Sequence, residues 1–339
     1  MKSTTEEDSA ITYPIKLNTE LGITKSPYSF KLKSLFPFCK ENRQLSNLVF
    51  LKDGRFVISL NNIEDKDKNE FKVIDPSNNF HIDITVTFPD TEYIMDIIVL
   101  DNGSLIVSTY DYFEKTGGPT KLFYKVVKLS KDSYTMNSYM VQEGGNDDSN
   151  QLYLYAIQDN KFASISLLGN PHIWNGEPFS ATPLKVIEEK TKEMIMFKYS
   201  RKGNLLLLAE NEPTIIKVLD LNTYQFIQTM NDISYETMYP IDEKKLLLIE
   251  LNSNKSKFLY YDTGKKEDFV NINNCQAFLV LRDGNYLCQC DKNKFIVYDV
   301  NNSKWSMKIC HDNNYKAFYK INEESFATVD SNYLHIWNY

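Results

Sequence analysis

The sequence lacks long apolar runs, and it is poor in cysteine, histidine and tryptophan. Its 339 residues include 5 Cys, 4 His and 3 Trp. The apolar stretches, such as residues 97–100 and 205–209, are far shorter than the roughly 18 to 20 residues that a membrane-spanning helix needs. We therefore expect a soluble protein that does not insert into membranes.

The cysteines also bear on the cellular compartment. They form an odd set without the spacing of a disulfide framework, which is typical of a reducing environment. The first ten residues include Glu6, Glu7 and Asp8, whereas a secretory signal has an apolar core and a transit peptide is rich in arginine. These features predict a cytoplasmic protein in which residues 1–10 form a short disordered lead.

Basic charge is scarce as well. The formal net charge is -7 and the sequence pI is about 5.3. Strong nucleic-acid binding depends on clustered Lys and Arg side chains that neutralise phosphates. We therefore expect no nucleic-acid partner.

Signatures of catalysis are missing too. The sequence has no Gly-x-Ser-x-Gly elbow, which hydrolases use to expose a nucleophilic serine. Its glycine clusters, at residues 117–119 and 144–145, lack the following Lys-Ser/Thr of a phosphate-binding loop. We predict a protein that is not an enzyme, with no catalytic residue and no cofactor.

One group of residues has some of the character of a metal site. Cys288 and Cys290 are two residues apart, so they would face the same side of a strand, and Cys310 is followed by His311. Thiolates and imidazole together suit zinc. However, the first two cysteines fall inside a predicted strand, and free cysteine is among the most buried residue types. Core packing is the favoured interpretation, and we predict no metal site.

The residues that are abundant favour strands. Aromatic residues make up 13% of the sequence, and most of them are Tyr (22) or Phe (20). Both residue types pack well on half-buried pleated surfaces.

A short sequence unit recurs along the chain at the predicted end of a strand, and two of its copies share the tetrapeptide His-Ile-Trp-Asn. The seven copies are Val73-Ile74-Asp75, Lys128-Leu129-Ser130, His172-Ile173-Trp174-Asn175, Val218-Leu219-Asp220, Tyr260-Tyr261-Asp262, Val297-Tyr298-Asp299 and His335-Ile336-Trp337-Asn338.

Each copy is preceded by two apolar stretches that are joined by a turn, with Asp-Gly or Asn-Gly at residues 53–54, 102–103 and 283–284. These dipeptides are strong hairpin signals. Each repeat is therefore predicted to form four strands, which we name a, b, c and d in the order in which they occur along the chain. In the first repeat they are expected at residues 48–51, 55–60, 71–75 and 80–87. His172 and His335 occupy the same place in their repeats, which indicates a structural role.

The Ile-Trp-Asn and Val-Tyr-Asp endings resemble the Trp-Asp dipeptide of WD40-repeat proteins, and the 37- to 55-residue spacing of the copies is near that family's period of about 40 to 45. The family's Gly-His dipeptide is absent. The resemblance implies an all-β, seven-bladed β-propeller over residues 11–339. It also implies a rigid, non-catalytic platform in a multiprotein assembly.

The last repeat ends at strand c, so its outer strand must come from elsewhere. Tyr28, Phe30 and Leu32 alternate with polar residues, which is the pattern of a half-buried strand. We predict that a strand at about residues 28–35 completes the last blade and closes the ring. Residues 11–17 alternate as well and are the alternative for this place.

The loops between strands b and c offer the clearest candidate binding surface. Aromatic side chains often provide most of the binding energy of an interface, and residues 109–121 are predicted to form a loop that exposes several of them. The predicted partner-binding residues are Tyr93, Tyr110, Tyr112, Phe113 and Tyr235. The alternative is that these rings fold back onto their own blade.

The predicted function is that of a protein-interaction scaffold or adaptor whose partners are other proteins. Two alternatives remain open at this point: a permanent structural subunit of a large complex, and a hydrolase or lyase with a site in the central channel.

Overall fold

The structure of the chain is a computed structural model. It describes residues 16–17, 31–37, 43–62, 69–78, 80–89, 92–111, 121–143, 153–165, 170–188, 194–200, 204–210, 215–231, 233, 237–241, 244–249, 256–261, 263–269, 275–281, 284–290, 294–300, 302, 304–310, 317–321, 325–329 and 333–338. All regular elements among these residues are β-strands, which confirms the all-β prediction. The same residues contain no helix long and apolar enough to cross a membrane.

The chain divides into two units, and the larger comprises residues Cys39–Asn271. Its strands are β3 (Arg43–Phe50), β4 (Phe56–Asn62), β5 (Glu70–Asp75), β6 (His81–Thr87), β7 (Glu92–Val99), β8 (Leu105–Asp111), β9 (Lys121–Leu129), β10 (Tyr134–Glu143), β11 (Tyr153–Ile157), β12 (Lys161–Ile165), β13 (His172–Asn175), β14 (Lys185–Val186), β15 (Met194–Ser200), β16 (Leu205–Glu210), β17 (Ile215–Asp220), β18 (Gln225–Met230), β19 (Thr237–Pro240), β20 (Lys245–Ile249), β21 (Ser256–Tyr260) and β22 (Lys266–Phe269).

The smaller unit comprises Met1–Phe38 and Ile272–Tyr339. Its strands are β1 (Lys16–Leu17), β2 (Lys31–Pro37), β23 (Cys275–Val280), β24 (Tyr286–Cys290), β25 (Lys294–Asp299), β26 (Lys304–Cys310), β27 (Ala317–Lys320), β28 (Ser325–Val329) and β29 (Tyr333–Asn338).

The strands of the larger unit form five antiparallel sheets of four strands, each built from consecutive strands. We number them sheet 1 (β3–β6), sheet 2 (β7–β10), sheet 3 (β11–β14), sheet 4 (β15–β18) and sheet 5 (β19–β22). The smaller unit holds sheet 6, in the order β1-β26-β25-β24-β23, and sheet 7, in the order β2-β29-β28-β27.

The hairpins that begin sheets 1 and 2 follow directly from their turn residues. Gly54 and Gly103 have φ angles of 92° and 85°, which glycine adopts without the steric cost that a side chain would impose. The side chain of Asp53 accepts a hydrogen bond from the backbone N–H of Arg55 at 3.1 Å. The predicted turns at residues 53–54 and 102–103 are therefore present.

The repeated Val-x-Asp unit coincides with a local irregularity between strands c and d. In three sheets, the register shifts by one residue inside the unit, between Val73 and Ile74, between Val218 and Leu219, and between Val297 and Tyr298. The aspartate that follows accepts a hydrogen bond from a backbone N–H of the next turn, and such side-chain bonds stabilise turns. These bonds are Ser77 N to Asp75 at 2.7 Å, Asn222 N to Asp220 at 2.8 Å and Asn302 N to Asp299 at 3.0 Å.

Neighbouring sheets of the larger unit are joined by apolar clusters, so that sheets 2, 3 and 4 each contribute to a cluster on both faces. In sheet 4, Leu205, Leu207 and Ala209 belong to a cluster shared with sheet 5, whereas Leu206 and Leu208 belong to one shared with sheet 3. A strand that is buried on both faces needs a continuous apolar sequence, because successive side chains point to opposite faces. Similar clusters join sheet 1 to sheet 2 and sheet 2 to sheet 3.

Two N-terminal segments add strands to the smaller unit. β2 pairs antiparallel with β29, from Lys31 opposite Asn338 to Pro37 opposite Tyr333. β1 pairs with the outer strand β26 of sheet 6. Residues 1–10 and 28–30 lie outside the described residues, and closure of a ring by residues 28–35 stays a prediction.

Candidate functional site

Two of the predicted partner-binding residues, Tyr93 and Tyr110, lie in the described part of the chain, and Tyr112, Phe113 and Tyr235 lie outside it. Tyr93 and Tyr110 are directly opposite each other on β7 and β8. Their ring centroids are 5.7 Å apart, which is a favourable distance for a pair of aromatic rings.

The prediction that Tyr110 lies in a loop is wrong. It belongs to strand β8, opposite Leu122 of β9, and it packs against the cluster that joins sheets 2 and 3. The strand continues because the adjacent Thr109 is completely buried, so burial on the sheet outweighs the loop signal of the residues that follow. The ring of Tyr110 therefore folds back onto its own sheet.

Close to this tyrosine pair, sheet 2 buries a pair of opposite charges. The Nζ of Lys125 lies 2.7 Å from Oε2 of Glu92, and the two side chains are 4% and 12% exposed. Lys125 also donates to Ser138 at 3.1 Å, and Thr109 donates to Glu92 at 2.9 Å. The Lys125 ammonium lies 5.6 Å from the ring centroid of Phe88. Because both side chains are buried, removal of either one would leave the other as an unpaired buried charge.

Polar side chains on the first strands of the sheets connect neighbouring sheets. The carboxylate of Asp96 on β7 accepts a 2.9 Å hydrogen bond from the backbone N–H of Leu154 on β11, and a second from Ile97. Asn47 on β3 donates to the backbone carbonyl of Met95 on β7 at 3.4 Å. Both Asn47 and Asp96 directly follow a β-bulge of their strand. Bulges redirect side chains, and here they occur where a side chain reaches the next sheet.

Burial raises the pKa of Asp96 to about 6, although the hydrogen bonds from Leu154 and Ile97 oppose the shift. An unfolded aspartate has a pKa near 3.9, so the folded protein holds this proton more tightly. Asp96 therefore contributes stability that is fully present below about pH 4 and is lost as the pH rises through about 6.

We expect the Asp96→Asn variant to lose this dependence. Between pH 4 and pH 6.5, the unfolding free energy of the wild type should fall by on the order of 2 kcal/mol more than that of the variant. Urea unfolding at a series of pH values measures the difference. Parallel curves for the two proteins would show that Asp96 does not titrate in this range.

The two Trp-containing repeats build the same buried arrangement in two different sheets. The indole N–H of Trp174 donates to the Ser164 hydroxyl at 2.8 Å, and that of Trp337 donates to the Thr328 hydroxyl at 2.9 Å. In both cases a phenylalanine ring stacks on the indole, with interplanar angles of 10° and 9°. The repeated tetrapeptide does not mark the two hydroxyl residues, which precede their tryptophans by ten and nine positions.

The histidines of these repeats lie beside the same tryptophans. His172 is half-buried with its ring 5.8 Å from that of Trp174, and burial lowers its pKa. His335 is completely buried, and its ring is nearly parallel to that of Trp337. Both positions fit the structural role inferred from the repeat.

The candidate metal ligands are only partly described. Cys288 is completely buried in β24, and burial raises the pKa of its thiol, which disfavours the thiolate that a metal would bind. Cys275 and Cys290 are opposite each other in the backbone register of β23 and β24. His311 lies outside the described residues, within which no three potential ligands form a group suited to a metal ion. The expectation of no metal site stays a prediction.

A cavity of about 510 Å³ opens at the hairpin turns of sheets 1 and 2. Four of its charged side chains form ion pairs: Arg55 with Asp53 at 2.7 Å, and Lys128 with Glu177. Lys52 donates a hydrogen bond to the backbone carbonyl of Asp101 at 2.5 Å. The cavity is lined by Leu51, Lys52, Asp53, Arg55, Asp101, Asn102, Gly103, Ser104, Lys128, Leu129 and Glu177.

Comparison with known proteins identifies the fold. No protein-family model matches the sequence, and no curated protein matches it. Among solved structures, a chain in the crystal structure of the mitotic checkpoint complex is similar over 100% of this chain and 97% of its own length, with a TM-score of 0.64 and 11% identity.

A second similar structure is the WD40 β-propeller domain of Doa1, which matches 91% of this chain and 97% of its own length, with a TM-score of 0.57 and 13% identity. The predicted resemblance is thereby confirmed at the level of the fold. The chain has the all-β fold of WD40-like β-propellers.

Proposed function

We propose that the protein is a non-catalytic interaction scaffold, and that its seven sheets are the blades of a closed propeller that β2 completes. The observation that supports this most is the fold, which is similar over at least 91% of the chain to WD40-like structures. One of them is a crystal structure of a multiprotein complex. Propellers of this kind offer a rigid disc whose loops can differ without changing the blades.

The proposed contact surface is the b-to-c edge of sheet 2, which includes Tyr112 and Phe113. Tyr110, which precedes them, is anchored in β8 and packs on its own sheet. We choose Tyr112 and Phe113 as the anchors to test, since aromatic side chains often provide most of the binding energy of an interface. The partners would be other proteins in a larger assembly.

The test is affinity purification of the tagged chain followed by quantitative mass spectrometry. We expect the Tyr112→Ala/Phe113→Ala variant to recover a specific set of proteins at least about tenfold less than the wild type, since aromatic anchors are frequent hot spots. Ile227→Ala is the matched control, because Ile227 is a 53% exposed hydrophobic residue on the outer strand β18. Equal recovery by all three proteins would count against this surface.

A further inference from the structure

The outer strand of sheet 2 has an unusual composition for a sheet edge. β10 contains ten residues, Tyr134–Glu143, and among the described residues it pairs only with β9. Residues 134–142 contain neither a charged side chain nor a proline. A long, uncharged edge presents a row of backbone N–H and C=O groups that another strand can pair with.

Other outer strands of the described sheets carry features that discourage such pairing. β6 contains Asp83, β22 contains three charged residues, β14 has only two residues, and β2 contains two lysines and ends in a proline. The outer edge of β26 is covered by β1. β18 is uncharged as well, but it is six residues long. The pairing of β1 with β26 shows that an outer edge of this fold accepts a further strand.

The two exposed hydrophobic side chains of β10 lie at equal distances from the middle of its regular segment. Its pairing with β9 is regular from Tyr134 to Met140, and the bulge that follows lies between Met140 and Gln142. The midpoint of this regular segment is Asn137, an exposed residue. Tyr134 and Met140 are 38% and 49% exposed, and each is three residues from the midpoint.

Side chains on both faces of β10 pack against the rest of its unit. Met136 packs against the apolar cluster that joins sheets 1 and 2, and the ring of Tyr139 lies 4.6 Å from that of Phe179. Because both faces of β10 are anchored to its own unit, a strand that pairs with its edge would meet a preformed template.

We propose that β10 pairs with β10 of a second copy of this chain, antiparallel about a two-fold axis at Asn137. In this register Tyr134 lies opposite Met140 of the other copy, and Asn137 lies opposite itself. A two-fold interface requires a self-complementary surface. The uncharged segment meets this requirement, since it brings no like charges together and covers both exposed hydrophobic residues. A strand from a different protein is the competing occupant.

The test is sedimentation velocity of the purified full chain over a range of concentrations. We expect the wild type to form a reversible species of twice 39.5 kDa. Asn137→Lys and Asn137→Asp should each weaken self-association at least about tenfold, because each places like charges directly opposite each other. An equimolar mixture of the two variants should restore the dimer, since the opposed charges then attract.

The matched control is Thr85→Lys, which adds the same charge at an exposed position of the outer strand β6 and should leave the dimer unchanged. Recovery in the mixture shows that both variants are folded, and circular dichroism melting of each checks this separately. A monomer at all concentrations would overturn the proposal and leave a foreign strand as the occupant to consider. A dimer that resists both Asn137 substitutions, or a mixture that stays monomeric although both variants are folded, would also overturn it.

Discussion

Removal of residues 1–37 is expected to lower the thermal unfolding midpoint by at least about 10 °C relative to a chain that lacks only residues 1–30. The longer deletion removes β2, which pairs with β29 along its length. It leaves the backbone of β29 unpaired at an edge. β29 also carries Trp337, which is 1% exposed, and Ile336, which is 5% exposed, so loosening this strand would expose large apolar side chains.

The shorter deletion is the matched control because it removes β1 but keeps β2. Differential scanning calorimetry of both deletion variants and of the full chain gives the three midpoints. Near 60 °C the unfolding entropy is about 2.1 cal/mol/K per residue, so for the chain of 339 residues a difference of about 10 °C corresponds to about 7 kcal/mol. Equal midpoints for the two deletions would mean that β2 contributes little to the stability of sheet 7.

The second large effect is expected for Lys125→Met. This substitution keeps the length of the side chain but leaves the Glu92 carboxylate buried without its cation. Removal of one partner of a buried ion pair typically costs about 3 to 5 kcal/mol, and we expect a loss of unfolding free energy in this range. Chemical denaturation with urea measures it.

The double variant Glu92→Gln/Lys125→Met tests the reason for this loss. It removes both charges while the glutamine can still accept the hydrogen bond from Thr109, so we expect it to be more stable than Lys125→Met alone by about 2 kcal/mol or more. If the two substitutions instead destabilise additively, the pair does not act as a unit. A useful comparison is Lys128→Met, because Lys128 is 52% exposed and should lose less than about 1 kcal/mol.

Local sequence signals were sufficient to predict most of the sheet architecture. The Val-x-Asp spacing correctly marked the ends of third strands in several sheets, because the aspartate is needed to bind the following turn. The continuous apolar run at residues 205–209 belongs to a strand buried on both faces. In the first repeat the observed strands begin or end within five residues of the predicted ones.

The site features were harder to predict because they depend on residues far apart in the chain. Glu92 and Lys125 meet across three strands of sheet 2, and nothing in their immediate neighbours marks them as a pair. The role of Asp96 depends on its hydrogen bond with the backbone N–H of Leu154, which is 58 residues later in the chain. The residues next to Asp96 in the sequence do not indicate this contact. Tyr110 was placed in a loop because the following residues contain two glycines and a proline, whereas its packing against sheets 2 and 3 extends the strand.

An experimentally determined structure of the full chain at side-chain resolution tests the central claim most directly, because it counts the sheets and shows how they are arranged. We expect seven sheets in a closed ring, with residues 31–37 paired beside the last strand. Six or eight sheets, or an open arc of sheets, would contradict the proposed propeller and the contact surface that depends on it.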